Sequence, residues 1–346
     1  MATKLAQSVK ASRKGENLGD PIDKYILDYV SMFFSNIFIK LHIIPNVITL
    51  LSGLVGVAGG ILLIFDTLAL NIVGVVLIIF SVIFDVCDGQ VARLTKRYSN
   101  FGRTLDGLMD SLVYVSIYVA LCFRLFSVNI PFTNTPWGWW IVLVAAVSIY
   151  FHSAQSHTVD FYKNLHLYMS RRGNELSRSA DVEKEIAATK KHSFEAFRLK
   201  MYLSYTKTQE KESPETQKLL RKIDEVGGVT PQLSDVFLEK SRKYVPFTNL
   251  LTFNLRTIIL FVLLFLPGAA EFYFFPVSIV ALEIARIVII VKYEKFAKSL
   301  CARQELFENV TTEESTDTPA SESSDEIAEV AADIAEAPAE SEAEKE

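Results

Sequence analysis

Residues 85 to 110 contain Asp85-x-x-Asp88-Gly89-x-x-Ala92-Arg93, then eight residues, then Gly102-x-x-x-Asp106-x-x-x-Asp110. The carboxylates fall where one long apolar segment ends and the next begins. One Asp at the centre of a spanning helix costs roughly 2.5 to 3.5 kcal/mol, and four together also repel one another. Such a cluster persists when something neutralises it, and two divalent cations, Mg²⁺ or Mn²⁺, suit an all-oxygen donor set. Carboxylate-held metal pairs serve phosphoryl-type transfer, and a carboxylate left with a free oxygen can also take a proton.

Two helices must position these groups. At about 100° per residue, Asp85, Asp88, Gly89 and Ala92 share one face near the end of the first. Gly102, Asp106 and Asp110 form a stripe at the start of the second. The polar run Thr95-Lys96-Arg97-Tyr98-Ser99-Asn100 reverses the chain, so the acidic stripes face each other at one depth. Gly89 and Gly102 carry no side chain, leaving room for a ligand against the backbone.

Length and apolarity predict six spans, near 44–65, 69–93, 101–126, 138–162, 249–267 and 272–292. Residues 20–43 read as an interfacial amphipathic helix, with Ile22, Ile26, Tyr29, Met32, Phe33 and Ile37 on one stripe. The expected fold is therefore an all-α integral membrane protein of six transmembrane helices with an N-terminal interfacial helix. Lys and Arg populate the N-terminal segment, the 94–100 turn, 163–245 and 292–298, and are missing from 66–68, 127–136 and 267–271. By the positive-inside rule both termini and the acidic motif are cytoplasmic, at the inner membrane in a bacterium. No cleavable signal peptide is visible at the polar, basic N-terminus.

The pattern D-x2-D-G-x2-A-R-x8-G-x3-D-x3-D is filled at every defined position. It resembles the signature of the CDP-alcohol phosphotransferases, membrane enzymes that make phospholipid head groups. The resemblance covers residues 40 to 165 well, 246 to 298 loosely, and neither the insert between them nor the tail. It implies metal ligation by Asp85, Asp88 and Asp106, with Asp110 as general base in some metal contact. It implies that Gly89, Ala92 and Arg93 line the cytidine nucleotide, with Asn46 and Thr49 of Ile44-Pro45-Asn46-Val47-Ile48-Thr49 bordering it. It further implies a homodimer, a CDP-alcohol donor and an alcohol acceptor in phospholipid biosynthesis, with CMP released.

For the acceptor, His152, Ser156, Asp160 and Lys163 share one stripe of the fourth span at i, i+4, i+8 and i+11. Relatives acting on phosphorylated acceptors tend to place arginines there; here Asp160-Phe161-Tyr162-Lys163 stands instead. The alternative for this stripe is a polar face packed inside the bundle. Arg256 in the fifth span could face substrate phosphates, whereas Glu283 and Arg286, at i, i+3, could neutralise each other. Zinc does not suit His152 and His157, about 140° apart on a helix. The leading reading is transfer of a phosphatidyl group from CDP-diacylglycerol to inositol phosphate or glycerol phosphate. The rival within the class moves phosphoethanolamine or phosphocholine from its CDP form to diacylglycerol. A cation or proton transporter would distribute acids along a path and show internal repeats. A membrane scaffold leaves the carboxylates without a purpose.

Composition agrees. Half of the 346 residues are hydrophobic, and the mean hydropathy is +0.25. The net charge is −5, but residues 308–346 hold fourteen acids and one lysine, which leaves +8 on the body. A basic body suits an anionic leaflet and phosphorylated substrates; no nucleic-acid motif is present. Cys87, Cys122 and Cys301 show no metal or redox spacing and read as free thiols. The expected organisation is 1–43 N-terminal segment, 44–165 catalytic spans, 166–245 charged cytoplasmic insert, 246–298 last spans, and 299–346 an acidic tail of disorder-prone composition. In the insert, 181–201 and 213–226 read as helices, the second ended by Gly227-Gly228.

Overall fold

The computed structural model describes residues 9, 26–97, 99–170, 176, 178–189 and 193–308. The expected tail lies outside these from 309 onward, and so does Ile22 of the N-terminal stripe. Among the described residues the chain is helical, and its only bridge pairs Asn129 with Pro136. It divides into two compact units, one reaching residue 145 and taking in 267–269, the other comprising 146–266 and the stretch from 270.

The first unit holds α1 (Asp28–Lys40), α2 (Pro45–Leu62), α3 (Leu68–Leu94) and α4 (Asn100–Leu125). Pro45 opens α2 at its first turn, where its missing N–H costs nothing. α2 carries no charge and is rich in glycine. A Cβ on Gly59 would stand 2.8 Å from the Gly74 carbonyl oxygen, and one on Gly74 would stand 2.9 Å from that of Gly59. The α2–α3 crossing is thus backbone against backbone, as small residues permit in membrane bundles. Gly53 and Gly60 receive Met109 and Ser116 of α4 in the same way. α2 is the spine against which both motif helices lie.

The turn between α3 and α4 closes as its polar sequence predicts. Lys96 adopts φ 53°, Arg97 N–H reaches Ala92 O at 3.1 Å, and Ser99 caps α4 by accepting from Gly102 N–H at 2.8 Å. At the opposite end Arg124 binds Asn71 Oδ1 at 2.9 Å and Asp66 Oδ1 at 2.8 Å. A cation at the far end of a span is therefore used to close the α2–α3 turn.

α1 is present, but its polar side turns inward. Ser31 and Ser35 are buried, whereas Ile26, Tyr29, Phe33 and Ile37 are exposed. Met32 leaves the expected stripe and is fully buried. Phe34 and Phe38 pack edge-on against Phe84 of α3.

The second unit holds α5 (Trp140–Ser170) beyond residue 145, α6 (Ser179–Ala188), α7 (Phe194–Glu212), α8 (Pro214–Glu225), α9 (Pro231–Thr248), α10 (Phe253–Leu264) and α11 (Leu282–Cys301). The single helix expected over 181–201 is two, interrupted near Thr189. α8 ends where Gly227 takes φ 85° and Gly228 N–H returns to Ile223 O, as its Gly-Gly stop predicts. Its N-terminus is capped from elsewhere. Glu294 of α11 accepts from Glu215 N–H at 2.6 Å and from Thr216 Oγ1 at 2.7 Å, while Ser213 donates back to Gln209 O. α8 thus packs Leu219, Leu220 and Ile223 into a core shared with Tyr293, Phe296 and Leu300 of α11.

Among the described residues four helices are long and apolar enough to cross a membrane: Pro45–Leu62, Leu68–Leu94, Thr104–Leu125 and Ala270–Cys301. Pro231–Leu251 and Phe253–Leu264, bent by 42°, add a fifth if the pair is one span. The chain is an integral membrane protein. The expected 138–162 span exists as a helix, but its polar residues from His152 onward take it out of that set. The expected 249–267 span falls on a twelve-residue helix too short to cross alone.

Candidate active site

Asp85 and Asp88 leave the last turns of α3, and Asp106 leaves the first turns of α4. Each offers a carboxylate oxygen, and the three lie within 4.8 Å of one another. Asp88 is nearly buried, at 8% exposure; Asp85 and Asp106 are half-buried. Asp110 is one turn further along α4 and exposed. It stands outside the triad, yet close enough for its charge to act on Asp85.

Three like charges this close require a cation or protons to balance them. An all-carboxylate oxygen set of this size fits a hard divalent ion of the Mg²⁺ or Mn²⁺ kind, and lacks the nitrogen and sulfur donors that zinc favours. Thr49 of α2 donates its hydroxyl to Asp88, which fixes one oxygen of that carboxylate.

The nucleotide residues surround the triad. The Arg93 guanidinium folds back over Gly89, where a Cβ would meet it at 3.1 Å, and its charge acts on Asp88. Asn46 lies against Gly102, whose Cβ would stand 2.6 Å from Asn46 Oδ1. Both motif glycines therefore leave space that polar groups of the site already enter. Ala92 is half-buried on the same helix.

Sequence reasoning missed one support. Gln90, in a variable position of the motif, is 1% exposed. Its Oε1 accepts from Ser35 at 2.9 Å and its Nε2 donates to Asp28 O at 3.1 Å, pinning α1 beside the site. A glutamine amid the apolar end of a span was the available signal. Cys87 behaves as expected, a buried free thiol directed to Ser31 O at 3.2 Å.

The sequence profile of the CDP-alcohol phosphatidyltransferase family matches residues 42–164. The match contains α2, α3, α4, every motif residue and most of α5; it does not reach 246–298. No curated protein and no solved structure matches the chain. The matched family is one of phosphotransferases, and its general reaction is phosphatidyl transfer from a CDP-alcohol in phospholipid synthesis.

The acceptor candidates of the second unit separate by environment. His152 is buried and stacks on Phe253 at 6.5 Å, and Ser156 and Lys163 are half-buried. Asp160 is exposed and accepts from Tyr205 Oη at 3.1 Å. Tyr205 sits edge-on to His157 at 4.1 Å. The insert helix α7 thus covers the polar residues at the end of α5, and burial with a carboxylate partner raises the Tyr205 hydroxyl pKa. Arg256, at 2% exposure, donates to Gln155. Gln155 in turn donates to Glu283 at 3.2 Å, and Arg286 joins Glu283 to Glu212. The expected Glu283–Arg286 pair forms.

Proposed function

We propose that the protein transfers a phosphatidyl group from CDP-diacylglycerol to the hydroxyl of a phosphorylated polar alcohol, inositol phosphate or glycerol phosphate, and releases CMP. The observation that carries this reading is the meeting of the Asp85, Asp88 and Asp106 carboxylates, with the Arg93 guanidinium folded over Gly89 beside Asp88. Divalent cations held by the three carboxylates would supply charge neutralisation for the pyrophosphate and for departing CMP. Arg93 meets a phosphate oxygen over Gly89, and Asn46 and Thr49 border the nucleotide from α2. Thr49 keeps the Asp88 carboxylate in its ligating orientation. Asp110, exposed beside the triad and able to touch a metal, takes the proton from the acceptor hydroxyl as that oxygen bonds to phosphorus and the bond to CMP breaks. His152, Ser156, Asp160, Lys163 and Arg256 are the candidates for acceptor recognition, with Lys163 meeting a phosphate and Asp160 a hydroxyl.

In this reading six segments span the membrane, α5 and the 249–267 segment that holds α10 among them. α1 lies in the interface with Ile26, Phe33 and Ile37 in lipid, and both termini and the carboxylates face the cytoplasm. Two copies assemble as a homodimer.

CMP release, measured with a panel of CDP-donors and alcohol acceptors in liposomes, tests the assignment. Turnover with CDP-diacylglycerol and a polar alcohol phosphate is the expected result. Turnover only with CDP-ethanolamine or CDP-choline and diacylglycerol replaces it by the reversed polarity. Activity vanishes in excess chelator and returns with Mg²⁺ or Mn²⁺; full turnover in chelator removes the metal reading.

A further inference from the structure

Outside the matched segment, α9, the turn after it and α11 line an open groove with a cavity volume of about 70 Å³. Phe247, Leu250, Ala285, Val288 and Ile289 make its apolar walls, and Lys292 lines it together with Tyr244 and Tyr293. Phe247, Leu250 and Val288 are substantially exposed, so the groove opens outward. Lys292 Nζ is held 5.1 Å from the centre of the Phe247 ring.

The depth profile along α11 has the polarity of a membrane lipid. From Leu282 to Val291 the helix is apolar apart from the Glu283–Arg286 pair. It becomes basic at Lys292, with Lys295 and Lys298 following, and α9 adds Lys240, Arg242 and Lys243. Glu294, between these lysines, is occupied at the N-terminus of α8, and Glu239 precedes Lys240 on α9. Ala285 to Lys292 spans about 10 Å of helix, so an acyl chain along the walls brings a head-group phosphate to Lys292. The contrast lies with α2, whose exposed Leu50, Leu54 and Ile61 also meet lipid but belong to a helix with no charged residue. Bulk solvation of an apolar face needs no cation; a concave apolar wall with one lysine in its lining selects a head group.

We propose that this groove is a binding site for an anionic glycerophospholipid, its acyl chain against Val288 and Ile289 and its phosphate on Lys292. The site lies on the second unit, outside the matched segment.

The test is native mass spectrometry of the full-length protein, released from detergent with equal dioleoylphosphatidylglycerol and dioleoylphosphatidylcholine. Wild type retains the anionic lipid preferentially. Lys292→Gln reduces that preference about fivefold, the scale of one lysine at an anionic surface, and Lys292→Arg keeps it. Lys298→Gln, on the same basic edge but off the groove wall, leaves it unchanged. Val288→Trp, which fills the groove, lowers retention of both lipids. Equal retention by wild type, or an unchanged preference in Lys292→Gln, overturns the site. An equal loss in Lys298→Gln overturns it too, because the selectivity then belongs to the diffuse basic surface.

Discussion

The four motif carboxylates occupy unequal positions, and the inequality predicts unequal mutants. Asp85, Asp88 and Asp106 share one ligand cluster, whereas Asp110 is exposed beside it. Asp88→Asn should weaken Mn²⁺ binding and turnover together. Asp110→Asn should lose about 10² to 10⁴-fold in kcat with Mn²⁺ and CDP-donor affinity largely kept. Near-normal turnover in Asp110→Asn would reassign the base. Thr49→Val removes the hydroxyl that holds Asp88 while conserving shape. It should lower divalent affinity about 10 to 100-fold, as read by Mn²⁺ titration at unchanged thermal stability; unchanged Mn²⁺ affinity would leave Thr49 a helix-packing residue. The carboxylates and glycines of the site were legible because fixed chemistry at helical spacing survives in a one-dimensional string. Thr49's bond to Asp88 and Gln90's grip on α1 were not, since each pairs residues tens of positions apart whose contact depends on helix crossing.

At the scale of elements, α2 decides how the motif helices meet. Gly59 and Gly74 cross with no side chain between them, so Gly59→Ala drives a Cβ into a carbonyl oxygen that cannot rotate away. The overpacking should cost about 1 to 3 kcal/mol and lower Tm in detergent, with reduced divalent affinity as α3 shifts. Gly107→Ala, where a Cβ meets nothing within 4 Å, is the matched control and should be silent; equal Tm for the two would show that the crossing yields. Long apolar runs made α2, α3 and α4 readable in advance. α5 was harder, because one continuous helix changes from apolar to polar at His152, and no period marks that change. α8 is legible from Pro214 and Gly227-Gly228, but its capping carboxylate is not, because Glu294 lies on α11, 79 positions from Glu215.

At the scale of the molecule, the described chain is anchored nearly to its last residue. Thr230 donates to Leu306 O, Leu306 is buried at 6% exposure, and Lys222 lies 5.4 Å from the Phe307 ring. Truncation after Glu308 should leave specific activity within about twofold, because every described buried contact is kept and the acidic composition beyond it buries little apolar surface. Truncation after Arg303 removes Leu306 and should lower thermal stability measurably. If the shorter deletion alone abolished activity in a protein that still inserts, residues beyond 308 would have a direct part in turnover. The chain Arg256–Gln155–Glu283–Arg286–Glu212 joins α10, α5, α11 and α7 with two guanidiniums and two carboxylates. Its charges sum to zero, and apart from Glu212 at the more exposed end its charged groups are largely buried, so removing one charge strands an ion whereas removing one of each sign need not. Glu283→Gln alone should cost about 3 to 5 kcal/mol, and adding Arg286→Gln should return much of that loss in a double-mutant cycle. Additive losses would mean that the two sites are solvated independently. The consequence is historical as well as energetic: this part of the bundle can drift only by paired steps, so its ionic residues should be inherited or exchanged together, with charge balance rather than identity as the conserved quantity.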